Sequence, residues 1–250
     1  MAGAALAPAA AGVKRFYAEA RGVPADSGYG IELDGKPLRT PARRPLAVPT
    51  RTLAEAIADE WNAQVEAIDP RATPLTGLAN AAIDRVAPDR EAFARGLARY
   101  GESDLLCYRA EPGSRLAGRQ AASWDPILAW ARRRYQVDFA ITCGVVPAPQ
   151  ARATLDRLEQ AVLARTSFEL AALSPLVTIA GSLVVALAVA EGAIDAGTAW
   201  RAAALDDLWQ AEKWGEDAEA AKALDARRRD FDAAARFLAL LAQAEEDVRT

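Results

Sequence analysis

An uncharged run of 21 residues, from Leu170 to Ala190, restricts the fold of this chain more than any other feature. The run is long enough for a helix to cross a bilayer. However, it contains Pro175 and several small polar residues, and Glu169 and Glu191 flank it in place of the cationic residues that anchor a membrane span. We therefore expect one continuous helix from Phe168 to Ala190, buried in the core and not inserted in a membrane.

The first fifty residues have the pattern of a small, irregular sheet. The pair Asp34-Gly35 favours a tight hairpin turn between two short strands. Five prolines between positions 24 and 49 confine the strands to edges and turns. Strands are expected at Val13–Ala18, Gly30–Leu33, Lys36–Arg39 and Pro45–Val48. We expect residues 1–70 to form a small β-rich N-terminal domain.

The apolar residues follow a helical period after Pro49. Leu53, Ile57, Trp61 and Val65 recur every four residues, and Thr52 with Glu55 is expected to form the capping box of this first helix. Further helices are expected at residues 75–86, 89–100, 126–135, 151–165, 195–214 and 216–246, and strand character at 104–109 and 137–146. The sequence therefore predicts an α+β protein, in which a larger, mainly helical C-terminal domain covers residues 71–250.

The composition excludes several kinds of chemistry. The chain has no histidine, the commonest metal ligand and the commonest acid–base catalyst near neutral pH. Its two thiols, Cys107 and Cys143, are too far apart for a Cys-x-x-Cys redox pair and are expected to be buried in a reducing compartment. There is no glycine-rich phosphate loop, so no nucleotide cofactor is expected. A net charge of -4 and a pI near 5.1 argue against nucleic acid as a partner.

One acidic and aromatic segment points to binding instead. From Asp206 to Asp217 the chain has two tryptophans and five carboxylates. Like charges on one helix repel by a few tenths of a kcal/mol per pair, so fold stability alone does not explain them. Tryptophan is a frequent interface anchor, and a docking surface for a protein is the first hypothesis. Three alternatives stay open. In the first, Leu208 and Trp209 belong to the core and the carboxylates form a solvated face. The others are a metal-dependent enzyme that uses Asp207, Glu212 and Glu216 as oxygen ligands, and a general protein-binding scaffold.

Six short motifs occur in the order that they have in a known family. They are Lys14–Tyr17, Leu33–Pro41, Glu60–Gln64, Cys107–Arg109, Trp124–Trp130 and Gln210–Gly215. With them the chain resembles the assembly chaperones of mitochondria and alphaproteobacteria that act on the alpha subunit of the ATP synthase catalytic sector. Each motif alone is weak evidence for the family, but six motifs in the same order over most of the chain are specific to it.

The resemblance implies a chaperone that is not an enzyme and that uses no cofactor or metal. It implies one partner, the unassembled alpha subunit, which is held until a beta subunit replaces the chaperone. The residues expected to contact this partner are Asp207, Gln210, Glu212, Trp214, Glu216, Glu60 and Gln64. Structural roles are expected for Trp61, Trp124 and Asp125.

The resemblance also bears on location. Eukaryotic members of the family are expected in the mitochondrial matrix, but no basic residue precedes Lys14 in this chain, which argues against a transit peptide. We therefore expect a bacterial cytoplasmic protein. We also expect it to be a monomer.

Overall fold

The computed structural model describes residues 13–144, 148–215 and 217–243, and in these ranges the chain is an α+β protein, as predicted. The strands are β1 (Ala20–Ala25), β2 (Gly28–Leu33), β3 (Lys36–Pro37), β4 (Ala47–Val48), β5 (Tyr108–Arg109) and β6 (Thr142–Cys143). The helices are α1 (Arg51–Asn62), α2 (Pro74–Ala81), α3 (Arg90–Ala98), α4 (Arg115–Tyr135), α5 (Arg152–Leu163), α6 (Ser167–Ala180), α7 (Leu183–Ala190), α8 (Ala196–Ala203), α9 (Leu205–Trp214) and α10 (Ala218–Ala242).

The N-terminal sheet is built around β2. This strand pairs antiparallel with β1 and also with β3 and β4. The hairpin predicted at Asp34-Gly35 is confirmed, since both residues have positive φ. The first strand is displaced from its predicted position: β1 begins at Ala20, and in the earlier segment only Lys14 forms a bridge, to Ala67. That segment pairs with the chain that leaves α1 instead of joining the sheet.

The start of α1 differs from the prediction in its cap. Thr50, not Thr52, is the N-cap, and its Oγ1 accepts a hydrogen bond of 3.1 Å from a backbone amide in the first turn. Both threonine hydroxyls donate to the carbonyl of Leu240 in α10, at 3.0 and 3.1 Å, so this cap also joins α1 to α10. The helix ends at Asn62. Val65, predicted on its buried stripe, is therefore 82% exposed.

The uncharged run forms two helices and not one. Gly181 adopts a positive φ of 62° and ends α6. Ser182 then caps α7, with its Oγ accepting from the amide of Val185 at 3.0 Å. Every residue from Leu183 to Ala188 is buried, so the predicted core position of the run is confirmed while its continuity is not. Among the described residues, none of the helices has both the length and the hydropathy needed to span a membrane.

Other predicted elements differ at their ends. The helix predicted from Pro126 begins at Arg115, after the N-cap Ser114, and continues through Pro126, which lies on its exposed face. The helix predicted over 195–214 breaks at Ala204 into α8 and α9. The predicted strands 104–109 and 137–146 are reduced to β5 and β6, which pair parallel, and residues 145–146 lie outside the described ranges. Cys107 is buried as predicted, whereas Cys143 is exposed.

One main core connects the sheet with the helices. It extends from Ile31 in β2 to Leu238 in α10, with the buried α6 and α7 among its members. A smaller cluster lies between the N-terminal segment, β1, β2 and α1. α10 packs against α1, α2 and α6. The domain boundary expected at residue 70 stays a prediction.

Candidate partner-binding site

α9 carries most of the predicted binding residues on a helix that has no buried residue. It is attached to α4 by polar contacts. The buried Gln120 of α4 donates from Nε2 to Asp206 Oδ1 at 2.9 Å and accepts from the amide of Ala110 at 2.8 Å. Six of its ten residues are exposed, so α9 presents most of its polar groups to solvent, while Leu205 packs against the main core.

The side of α9 that faces α4 is cationic and aromatic. Arg119 Nη1 lies 2.7 Å from Glu212 Oε2, and the same guanidinium lies 4.6 Å from the centre of the Trp209 ring. Lys213 lies 5.0 Å from that ring on α9 itself. Two cations therefore lie over the ring of one tryptophan. Glu212, predicted to bind a partner, is exposed but already has a cationic neighbour.

The side of α9 that faces α10 is an apolar groove of about 450 Å³. Asp207 lies at its edge, where Oδ2 is 3.0 Å from Arg227 Nη1 of α10. The other amino group of this arginine donates to the carbonyl of Ile179 in α6 at 3.2 Å. The groove is lined by Asp207, Leu208, Gln210, Ala211, Trp214, Gly215, Asp217, Ala220, Ala221, Ala223, Leu224 and Arg227. The structure thus brings Asp207, Gln210 and Trp214 to one groove and Glu212 to the opposite side of the helix.

The end of α9 exposes its last aromatic side chain. Trp214 is 84% exposed, which is unusual for a residue of this size. Gly215 follows with φ 89° and ψ 160°, a backbone conformation that is essentially restricted to glycine, and it turns the chain towards α10. Asp217 then caps α10 by accepting from the amides of Glu219 and Ala220. Glu216, the remaining predicted contact in this segment, lies outside the described residues.

The geometry does not favour the metal-site alternative. Asp207 and Glu212 are five residues apart, which places them about 140° apart around a helix. They are engaged by arginines from different helices, α10 and α4. Among the described residues, no three His, Cys, Asp or Glu side chains are grouped closely enough to hold a metal ion.

The second predicted contact region, Glu60 and Gln64, makes bonds inside the protein. Glu60 accepts from the amides of Leu75 and Thr76 at 2.6 and 2.9 Å and from the Thr76 hydroxyl at 2.8 Å, so it holds the first turn of α2. Burial raises the pKa of this carboxyl, and these hydrogen bonds oppose the rise. Gln64 is buried and accepts from the amide of Asp69. Direct contact with a partner is not supported for Gln64, because its side chain does not reach the surface.

Trp61 connects the N-terminal segment to the same turn of α2. Its Nε1 donates to Thr76 Oγ1 at 3.1 Å, and its ring lies 5.5 Å from the ring of Tyr17. The Tyr17 hydroxyl donates to the Trp61 carbonyl at 2.7 Å. Trp61 is partly buried and packs against both hydrophobic clusters. These contacts stabilise the fold, and none of them is with a residue of α9.

Trp124 and Asp125 occupy neighbouring positions on α4 with different surroundings. Trp124 is fully buried, and its Nε1 donates to the carbonyl of Ala202 in α8 at 2.9 Å. Asp125 is exposed and lies 2.7 Å from Arg109, whose guanidinium also lies over the Trp124 ring at 5.1 Å. Arg109 therefore fixes the end of β5 against α4.

A buried carboxylate that was not predicted as a site residue joins the segment before β5 to the start of α7. Asp104 is completely buried and accepts from Leu106 N at 3.0 Å, Ser182 Oγ at 2.7 Å and Val184 N at 2.9 Å. Burial raises its pKa from 3.8 to about 6, and the hydrogen bonds limit the rise. Asp104 thus stabilises the N-terminus of α7 at the break in the uncharged run.

Comparison with known proteins identifies relatives along most of the chain. A family model described as ATP12 chaperone protein matches residues 14–132, which end before α9. Atp12 from Paracoccus denitrificans, a solved structure, is 43% identical with a TM-score of 0.87, over 92% of this chain and 98% of that one. A solved protein from Agrobacterium tumefaciens is 40% identical with the same TM-score, over 91% and 86%. The mitochondrial atp12 protein of Schizosaccharomyces pombe is 26% identical over 202 residues, 75% of this chain and 69% of the yeast protein.

Proposed function

The chain belongs to the ATP12 chaperone family, and we propose that it binds the unassembled alpha subunit of the ATP synthase catalytic sector until a beta subunit replaces it. It is a chaperone and not an enzyme. A subunit that awaits its neighbour exposes a large apolar interface, and such surfaces aggregate when they are uncovered. A chaperone of this kind needs a surface that covers part of that interface and can be displaced.

The observation that carries the proposal is the exposed tryptophan of α9 among carboxylates. Trp214 has a large apolar area in water, and Leu208 on the same helix is 38% exposed. Buried aromatic anchors with a polar rim are the usual composition of a protein interface. α9 therefore supports the binding of a protein partner better than it supports any other role weighed above.

The ion pairs at this surface are suited to exchange. The pairs of Asp207 with Arg227 and of Glu212 with Arg119 join side chains that are about half exposed. Surface ion pairs of this kind contribute roughly 0 to 1 kcal/mol, because water and salt screen them. A cation from the partner can replace either arginine at little cost, so both carboxylates are available as contacts.

Replacing Glu212 by lysine tests this surface. We expect Glu212→Lys to place a cation beside Arg119 and Lys213, and to weaken binding of isolated alpha subunit about tenfold, or about 1.4 kcal/mol. The fold should persist, because the Glu212 side chain is 54% exposed. The measurement is the amount of alpha subunit that stays soluble at each chaperone concentration, together with co-purification of the two proteins.

A matched control is Glu55→Lys, which breaks the surface ion pair of Glu55 with Arg51 on α1. This variant has the same change of charge at a carboxylate that is 51% exposed, and it should protect alpha subunit like the wild type. Equal protection by all three proteins would contradict the role of α9. If the wild type leaves alpha subunit to aggregate, the assignment of the client is wrong.

We also propose that the protein acts as a monomer in a bacterial cytoplasm. The two solved relatives above come from bacteria, whereas the yeast relative is named as a mitochondrial protein. Sedimentation of the purified protein over a range of concentrations tests the monomer. Fractionation of the source cells tests the location.

A further inference from the structure

The groove between α9 and α10 combines large apolar walls with a floor of small residues. Leu208 and Trp214 form the α9 wall and are both exposed to solvent. Leu224 contributes from α10, and the remaining apolar lining comes from Ala211, Ala220, Ala221 and Ala223. Alanines leave room between two helices where longer side chains would close the gap. The groove can therefore accept side chains from outside.

The secondary structure of the groove walls limits the kind of segment that can bind. Both are helices, whose interior backbone groups are hydrogen-bonded within each helix. An added β-strand would find no open strand edge here, so recognition has to come through side chains. An amphipathic helix carries its own backbone hydrogen bonds and offers an apolar face. The lining from Asp207 to Trp214 extends about 10 Å along α9 at 1.5 Å per residue, which matches roughly two turns of such a helix.

The charge of the groove determines which charged residues are favoured beside the apolar face of that segment. Among the described residues, two carboxylates, Asp207 and Asp217, line the groove together with one cation, Arg227, whereas Glu212 lies on the opposite side of α9. Arg227 is already engaged by Asp207 and by a carbonyl of α6. The excess of negative charge favours a partner with arginine or lysine beside its apolar face.

We propose that this groove binds an amphipathic helix of the client, with its apolar face against Leu208, Trp214 and Leu224 and with cationic residues towards Asp207 and Asp217. The proposal rests on the chaperone function proposed above and adds the part of the client that is recognised. Binding replaces solvent at Trp214 and exchanges weak surface ion pairs for pairs across the interface.

Filling the groove tests the proposal with the full-length chain. The probe is a fluorescently labelled 18-residue helical peptide with leucine on one face and arginine on the other, and its twin has glutamate in place of arginine. We expect the arginine peptide to bind at least tenfold more tightly than the twin in an anisotropy titration. Ala221→Trp, which fills the groove, and Trp214→Ala, which removes a wall, should each weaken its binding at least tenfold.

Ala226→Trp is the matched control, because Ala226 is also partly buried on α10 but does not line the groove. It should bind the arginine peptide like the wild type. Equal affinity for the two peptides, or unchanged binding by both Ala221→Trp and Trp214→Ala, would overturn the proposal. A dimer of the wild type that Ala221→Trp converts to a monomer would assign the groove to a second copy of the chain, and would overturn it as well.

The alpha-subunit assay separates this proposal from the function on which it rests. If Ala221→Trp and Trp214→Ala keep alpha subunit soluble as well as the wild type does, the groove is not the site of recognition although the chaperone function stands. If the wild type does not protect alpha subunit but the peptides bind as expected, the groove proposal is supported and the client assignment fails.

Discussion

Asp104→Ala should lower the free energy of unfolding by about 3 kcal/mol at pH 7. The substitution leaves the amides of Leu106 and Val184 and the hydroxyl of Ser182 without their acceptor inside the core. Buried donors without a partner cost roughly 1 to 3 kcal/mol each, and part of this cost is offset because a buried charge is removed. For a chain of this size the melting temperature should fall by about 6 to 12 °C. Chemical and thermal denaturation measure both quantities.

The exposed Asp156, which pairs with Arg152 on α5, supplies the control for this change. Asp156→Ala breaks an ion pair in which both side chains are at least half exposed, and it should cost less than about 1 kcal/mol. If the two variants are equally stable, the hydrogen bonds of Asp104 do not stabilise α7 as described.

The stability of the wild type and that of Asp104→Ala should depend differently on pH. The folded protein binds a proton at Asp104 more tightly than the unfolded chain does, because the pKa is about 6 in the fold against 3.8 ordinarily. The stability that this proton contributes is complete below about pH 4 and is lost as the pH rises to about 6. At about 1.4 kcal/mol per pKa unit, the wild type should lose about 3 kcal/mol over this range relative to Asp104→Ala. A constant difference between the two proteins across this range would contradict the raised pKa.

Gly28→Ala should destabilise the N-terminal sheet by about 3 kcal/mol. Gly28 has φ 101°, which residues with a side chain rarely adopt, and an added Cβ would lie 2.4 Å from the carbonyl oxygen of Val48. Strained backbone costs about 1 to 3 kcal/mol and overpacking a similar amount. The sheet has to move at the β2–β4 pair to relieve the clash. Equilibrium unfolding in urea measures the loss.

Gly30, two residues later on β2, is the control for that substitution. A Cβ at Gly30 would meet its nearest neighbours at 3.7 to 4.0 Å, which is ordinary contact, and its φ is not positive. Gly30→Ala should therefore change stability by less than about 1 kcal/mol. Similar losses in the two variants would show that glycine is needed throughout the strand and not at one contact.

The sequence predicted those parts of the fold that depend on local pattern. The hairpin at Asp34-Gly35 depends on two adjacent residues, and the burial of α6 and α7 depends on an uncharged run. The break at Gly181 was missed, because it is stabilised by Asp104, a residue 77 positions earlier that accepts from the next helix. A contact between distant residues leaves no periodic pattern in either segment.

The same difference between local pattern and distant contacts explains which parts of the candidate site could be predicted. The acidic and aromatic composition of α9 was visible in the sequence, and so was the exposed character of its carboxylates. The second wall of the groove could not be predicted, since Leu224 and Arg227 belong to α10 and meet α9 only after the chain turns at Gly215. Glu60 and Gln64 adjoin Trp61 in one motif, but their hydrogen bonds to α2 and to the chain before it give them a structural role that composition does not reveal.

The lack of any buried residue in α9 has a consequence for how this surface can change during evolution. Local opening of a segment costs little free energy when few apolar contacts hold it, so amide hydrogens of α9 should exchange with solvent before those of α7. We therefore expect substitutions on α9 to have little effect on global stability. In the proposed function, selection can then adjust the specificity of this helix to a changing client while the core around Asp104 and Trp124 stays the same.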